Sequence, residues 1–279
     1  METIINPLIM QYINALSLTN ISTNWINNSD QPKILHVFDE VCNLINEKRE
    51  ILSIVNADIG NGPFSLVIKE PVSFTKHLDV HSKISIEDKQ IKVGDLAISF
   101  GYAQAWNPMP RWEEIRKNKD EIINHLSLLQ IDHENETILQ FANSLSSAII
   151  NADIPTIKNI SSKLAGLGIG LTPAGDDFLM GAMYAAWMIH PEKIAKQISE
   201  EIANVATPLT TSLSGAWLKS AAKGEAGELW HDFFEALIED ENIYLPLSKI
   251  ISVGETSGSD ALMGFLDVAQ AKGASRLTD

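Results

Sequence analysis

The sequence predicts an α+β protein: a β-rich, antiparallel N-terminal half, residues 1–115, packed on a helical C-terminal domain, residues 116–279. Three observations predict it. The first half holds short runs rich in Ile and Val, separated by turn formers. The second half holds longer runs with apolar side chains at three- and four-residue spacing. Between them, "WNPMPRW" (Trp106–Trp112) marks the change from one periodicity to the other.

The predicted strands are "KILHVF" (Lys33–Phe38), "VCNLIN" (Val41–Asn46), "ILSIVNA" (Ile51–Ala57), "FSLVIKE" (Phe64–Glu70), "KISIED" (Lys83–Asp88) and "DLAISF" (Asp95–Phe100). "DIGNGP" (Asp58–Pro63) is a strong turn signal, and "EDKQIKVGD" contains another. The spacers are too short for crossover helices, so antiparallel pairing is expected. After residue 115, "EEIRKNKDEIINHLSLL" and "ETILQFANSLSSAIINA" have helical periodicity, and "PEKIAKQISEEIANVA" opens with proline followed by an acid, as helix starts often do. Leu209–Ala222, Glu228–Ile238 and Ser259–Ala271 continue the helical series.

A chain of 279 residues, 45% hydrophobic and 20% charged, can bury a sizeable core as one large domain or two unequal ones. Its longest uncharged apolar run, Phe178–Ile189, is too short to span a bilayer, so no membrane insertion is expected. The opening "METIINPLIMQYINALSL" lacks a basic n-region and is interrupted by asparagines and a glutamine, so no secretory signal is expected. A lone cysteine, Cys42, permits no internal disulfide and points to a reducing, cytoplasmic compartment. With 36 acidic against 21 basic residues the formal charge is −15, which repels a nucleic-acid backbone. Any anionic ligand must then be held by a local device, such as a helix N-terminus or a backbone nest.

The densest chemistry lies in "GLGIGLTPAGDDFLMGAM" (Gly166–Met183). Thr172 is a predicted N-cap, Pro173 suits the first helical position, and Asp176 and Asp177 fall in the first turn, where the helix dipole favours carboxylates. No charged residue follows from Phe178 to Ile189, so the helix is expected to be enclosed by protein. If its start is enclosed as well, two adjacent carboxylates must offset a desolvation cost on the order of several kcal/mol per ion. They would need a cation, a basic partner or amide donors; otherwise the helix starts at the floor of a watery cleft. Gly166, Gly168 and Gly170 let backbone N–H groups turn toward one point. The spacing is not a Walker motif, and no clear strand precedes it as a dinucleotide fingerprint requires. An anion or metal site and a tight turn with ordinary capping both remain open.

A second copy moves the balance toward a site. "GLTPAGDDFLMGAM" at 170–183 is echoed by "GETSGSDALMGFL" at 254–266, in which Thr256, Ser257 and Ser259 are potential caps and Asp260 is the early carboxylate. Gly181 and Gly264 each follow an aspartate by four residues, on the same helical face, where a missing side chain admits a neighbouring helix. If the two helix starts meet, three aspartates and two positive helix ends share one pocket, suited to a magnesium–phosphate ligand held by oxygen atoms. Elsewhere, "TPLTTSLSGAWLKSAAKG" (Thr207–Gly224) is crowded with hydroxyls, of which Thr210, Thr211 or Ser212 could donate to a ligand. His77 and His81 lack the companions of a zinc site, Cys42 reads as a buried small hydrophobe, and Trp112 reads as a packing residue.

The paired motifs "GLGIGLTPAGDDFLMG" and "GETSGSDALMG" together resemble the AllH-like family, which includes a subunit of oxamate carbamoyltransferase. "IGNGPFSLVI" and "TTSLSGAWLKSAAKGE" also look like family features, so the resemblance covers most of the chain. Glu255 departs from the family pattern, where a histidine or another neutral residue is expected. The resemblance implies a role, with partner subunits, in converting oxalurate and phosphate to oxamate and carbamoyl phosphate during the use of allantoin, a purine breakdown product, as a nitrogen source. On that implication Gly168, Gly170 and Thr172 hold phosphate oxygens, with Thr210, Thr211, Thr256 and Ser257 as further donors. Asp176, Asp177 and Asp260 orient a divalent cation, magnesium, or the leaving phosphate. Two alternatives stand beside it: a non-catalytic assembly subunit, and a stand-alone magnesium-dependent hydrolase of a small phosphorylated or ureido compound.

Overall fold

The strand at the centre of the N-terminal sheet is β1 (Gln11–Leu18), whose residues largely alternate between exposed and buried positions. Gln11 and Asn14, polar residues of this segment, are exposed, as are Tyr12 and Leu16. The computed structural model describes residues 10–129 and 136–276, so residues 1–9 of the stretch read for a leader lie outside it. The chain divides into two units, Met1–Pro108 and Met109–Asp279, each with its own hydrophobic core.

Along the first unit follow α1 (Asn20–Asn27), β2 (Lys33–Val37), β3 (Val41–Ile45), β4 (Ile51–Asn56), β5 (Ser65–Ile68), α2 (Phe74–His77), β6 (Ile84–Glu87), β7 (Gln90–Val93), β8 (Leu96–Ser99) and β9 (Gln104–Ala105). The sheet order is β2-β3-β4-β5-β1-β8-β7-β6, with β9 also beside β1. The expected strands form, but the sheet is mixed rather than wholly antiparallel. β4 runs parallel to β5, and β1 runs parallel to both β8 and β9. Residues 57–64 carry the chain from β4 back alongside it through a single 3-10 turn (Ala57–Ile59), so the short spacer does not force a hairpin. β1 and β8 pair across a long stretch of sequence, which spacer lengths do not constrain. Leu44, Leu52, Ile54, Leu66, Ile68 and Phe74 are fully enclosed in this core.

The second unit contains α3 (Trp112–Lys117), α4 (Lys119–Leu126), α5 (Glu136–Ile150), α6 (Ile154–Leu164), α7 (Ala174–Ile189), α8 (Glu192–Ala206), α9 (Ser212–Ala222), α10 (Glu228–Ile238), α11 (Tyr244–Ile251) and α12 (Ser257–Arg276). The periodic run before Leu129 breaks at Asn118 into α3 and α4. Every residue of α7 except Ala174 and Met180 is buried, as its all-round apolar sequence predicts. Trp112 stacks on Trp187 and donates its indole N–H to the Gly224 carbonyl at 2.7 Å. Among the described residues no helix is long and apolar enough to cross a membrane.

α7 crosses α12 backbone against backbone. A Cβ on Gly181 would lie 1.7 Å from the Ala261 carbonyl oxygen, and one on Gly264 would lie 2.0 Å from that of Phe178. Each helix therefore places a carbonyl where the other lacks a side chain. This reciprocal approach fixes where their N-termini sit.

Candidate functional site

The two motifs meet at the start of this helix pair. The α7 helix begins at Ala174 with Pro173 at the N-cap, and the Pro173 carbonyl accepts the Asp176 and Asp177 N–H groups at 2.9 and 3.2 Å. Thr172 is thus not the cap, contrary to the sequence expectation. Its hydroxyl instead forms a 2.9 Å hydrogen bond with that of Ser257, the first residue of α12 and 85 positions away.

Asp176 and Asp177 are neighbours in sequence but turn to different helices. Asp176, 1% exposed, accepts from the Gly166 N–H at 3.0 Å, from the Ser214 hydroxyl at 2.9 Å and from the Thr210 hydroxyl. Burial raises its pKa, and those three donors oppose the rise. It thereby ties the glycine loop to the first turn of α9. Thr211 completes the joint: its hydroxyl accepts the Ser214 N–H at 3.1 Å as the α9 N-cap and donates to the Leu171 carbonyl at 2.6 Å. Thr210 and Thr211, expected to face a ligand, are therefore engaged with protein groups. Ser214, one of the hydroxyls crowded into Thr207–Gly224, is a partner of Asp176 that its sequence context does not single out.

Asp177 faces α12. It is 6% exposed, and its pKa is pushed up to about 8, first by burial and then by the negative charges of Asp260 and Asp176. Hydrogen bonds from Ser257 and Thr172 oppose the rise without cancelling it. Among the described residues its Oδ2 has no hydrogen-bond partner. Asp260 is 4% exposed, and its N–H donates to the carbonyl of Thr256 at 2.9 Å. Thr256 itself is exposed at the lip, as is Glu255. Asp176 is engaged on the α9 side, and among the described residues no group of three or more His, Cys, Asp or Glu side chains is placed to hold a metal ion.

Above the aspartates the glycine loop is open. Gly168 and Gly170 have φ of +117° and +100°, backbone that side chains rarely adopt, and both are exposed. A Cβ on Gly170 would meet nothing within 4 Å. Among the described residues, the N–H groups of residues 168–172 donate to no backbone carbonyl. The loop thus presents amide donors beside two helix N-termini, which is the chemistry of an anion cradle. The lesser candidates are structural: His77 Nδ1 pairs with Asp95 at 3.2 Å, and Cys42 is enclosed in β3 with burial pushing its thiol pKa up to about 12.

No solved structure matches the chain. Residues 164–269 match the family model described as oxamate carbamoyltransferase subunit AllH, and this span holds both aspartate motifs, α9 and the glycine loop. Residues 14–105 match the model of the AllH family N-terminal domain. With both parts of the family pattern present in order, the chain belongs to the AllH family.

Proposed function

We propose that the chain acts as one subunit of an oxamate carbamoyltransferase-type assembly, in which oxalurate and phosphate give oxamate and carbamoyl phosphate during allantoin breakdown. The observation that supports it best is the Thr172–Ser257 bridge beside a buried carboxyl, with a loop whose N–H groups donate to no backbone carbonyl among the described residues. On this reading the amides of Gly168–Thr172 and the N-terminal ends of α7 and α12 hold phosphate oxygens. The chain supplies position and charge stabilisation, and its partner subunits complete the site. A second reading, an assembly subunit without catalytic groups, draws on Ile169 at the loop tip, which is 95% exposed, and on Leu209, 53% exposed.

One experiment separates them. Carbamoyl phosphate formation from oxalurate and phosphate is measured in the reconstituted complex carrying Thr172→Ala. The first reading expects kcat/KM for phosphate to fall about a hundredfold with assembly intact. Wild-type turnover by an intact complex would favour the assembly role.

A further inference from the structure

We infer that Asp177 and Asp260, with the hydroxyls of Thr172 and Ser257, form a binding site for one hard divalent cation of the Mg2+ or Mn2+ kind. The inference goes beyond the proposed reaction, since cation binding can be read on this chain alone.

Four observations carry it. Asp177 is 6% exposed and among the described residues its Oδ2 accepts no hydrogen bond, so a buried carboxyl oxygen is left for a ligand. Among the described residues, the charged groups acting on that carboxyl are the carboxylates Asp260 and Asp176. The two hydroxyls that join the helix starts are half-buried and supply neutral oxygens between this pair and solvent. Finally, Asp176 is turned away to Gly166, Thr210 and Ser214, so that of the adjacent pair it is Asp177 that lies with Ser257 and feels the charge of Asp260.

Magnesium is commonly held by one or two carboxylates, with water or substrate phosphate filling its remaining positions. An all-oxygen set without imidazole or thiolate disfavours zinc. Without a cation Asp177 holds its proton to about pH 8, and a cation bound here would displace that proton. The glycine-loop amides lie nearby, so a phosphate could bridge the loop and the cation.

The test uses the full chain, stripped with chelator and dialysed, with free Mn2+ followed by electron paramagnetic resonance. One saturable Mn2+ per chain is expected, displaced by excess Mg2+. Asp177→Asn and Asp260→Asn should each weaken it at least tenfold, while Asp267→Asn, a half-buried carboxyl further along α12, should not. Folding of every variant is checked by circular dichroism. If neither aspartate variant folds, Ser257→Ala is read in their place, with a tenfold loss expected. Absence of saturable binding by folded wild type at millimolar Mn2+, or wild-type affinity in the folded site variants, would overturn the site. Loss of turnover with Mn2+ binding intact would count against the proposed reaction alone.

Discussion

Gly181→Ala is expected to destabilise the protein by at least the upper end of the roughly 1–3 kcal/mol typical of overpacked cores. The added methyl would lie 1.7 Å from the Ala261 carbonyl oxygen, which is backbone and cannot swing aside. α12 would have to move as a body, and α7, enclosed on all sides, offers no room to compensate. Gly264→Ala should behave alike, because its methyl would meet the Phe178 carbonyl oxygen at 2.0 Å. Urea denaturation of the purified variants reads this directly. Midpoints far below wild type, or a failure to accumulate folded protein, are expected of both. A wild-type midpoint in either would mean that the helices do not cross this closely.

Asp177→Asn is expected to do the opposite to stability while removing function. An ordinary aspartate ionises near pH 4, whereas burial and two neighbouring carboxylates move Asp177 to about pH 8. Below pH 4 the group is protonated in both the folded and unfolded states and has no differential effect. Between those values the folded chain holds a proton that the unfolded chain has released, so stability falls as pH rises, by at most about 1.4 kcal/mol per pH unit. Above pH 8 the accumulated loss is constant. Asparagine keeps the shape and an acceptor for Ser257 and Thr172 but carries no charge. The variant should match wild type near pH 4 and exceed it by on the order of a few kcal/mol at pH 8. Urea titrations in chelator across this range would show two curves that diverge with rising pH. In the reconstituted complex the same variant is expected to lose about a hundredfold in turnover. A variant less stable than wild type at pH 8 would mean that the carboxylate is compensated by a donor or a charge.

Much of this architecture is legible in the residues. The uncharged run from Phe178 to Ile189 implies an enclosed helix, and the repeated Asp-to-Gly interval marks the face on which α7 and α12 approach. What escapes a linear reading is direction. Asp176 and Asp177 are the same residue type in the same helical turn, and only the surrounding helices assign one to α9 and the other to α12. Thr172 has the chemistry of an N-cap, yet its hydroxyl finds a stronger claim in Ser257, a partner no local rule can supply. α6 and α11 go unread because Pro155 and Pro246 argue against helix, although both lie in the first turn, where the missing N–H costs nothing. β1 reads as an interrupted apolar segment because its exposed positions mix apolar Tyr12 and Leu16 with polar Gln11 and Asn14, which blurs the alternation of a strand.

The most direct measurement is a cross-link between the two helix starts. In Thr172→Cys/Ser257→Cys the new thiols replace hydroxyl oxygens 2.9 Å apart, and the native Cys42 is buried in β3 and out of reach of exchange. Mild oxidation should form an internal disulfide in the double variant, seen as a loss of two thiols and a peptide pair linking the two segments, and in neither single variant. A folded double variant that keeps both thiols free after oxidation would show that residues 172 and 257 do not meet, and no common site could then form there.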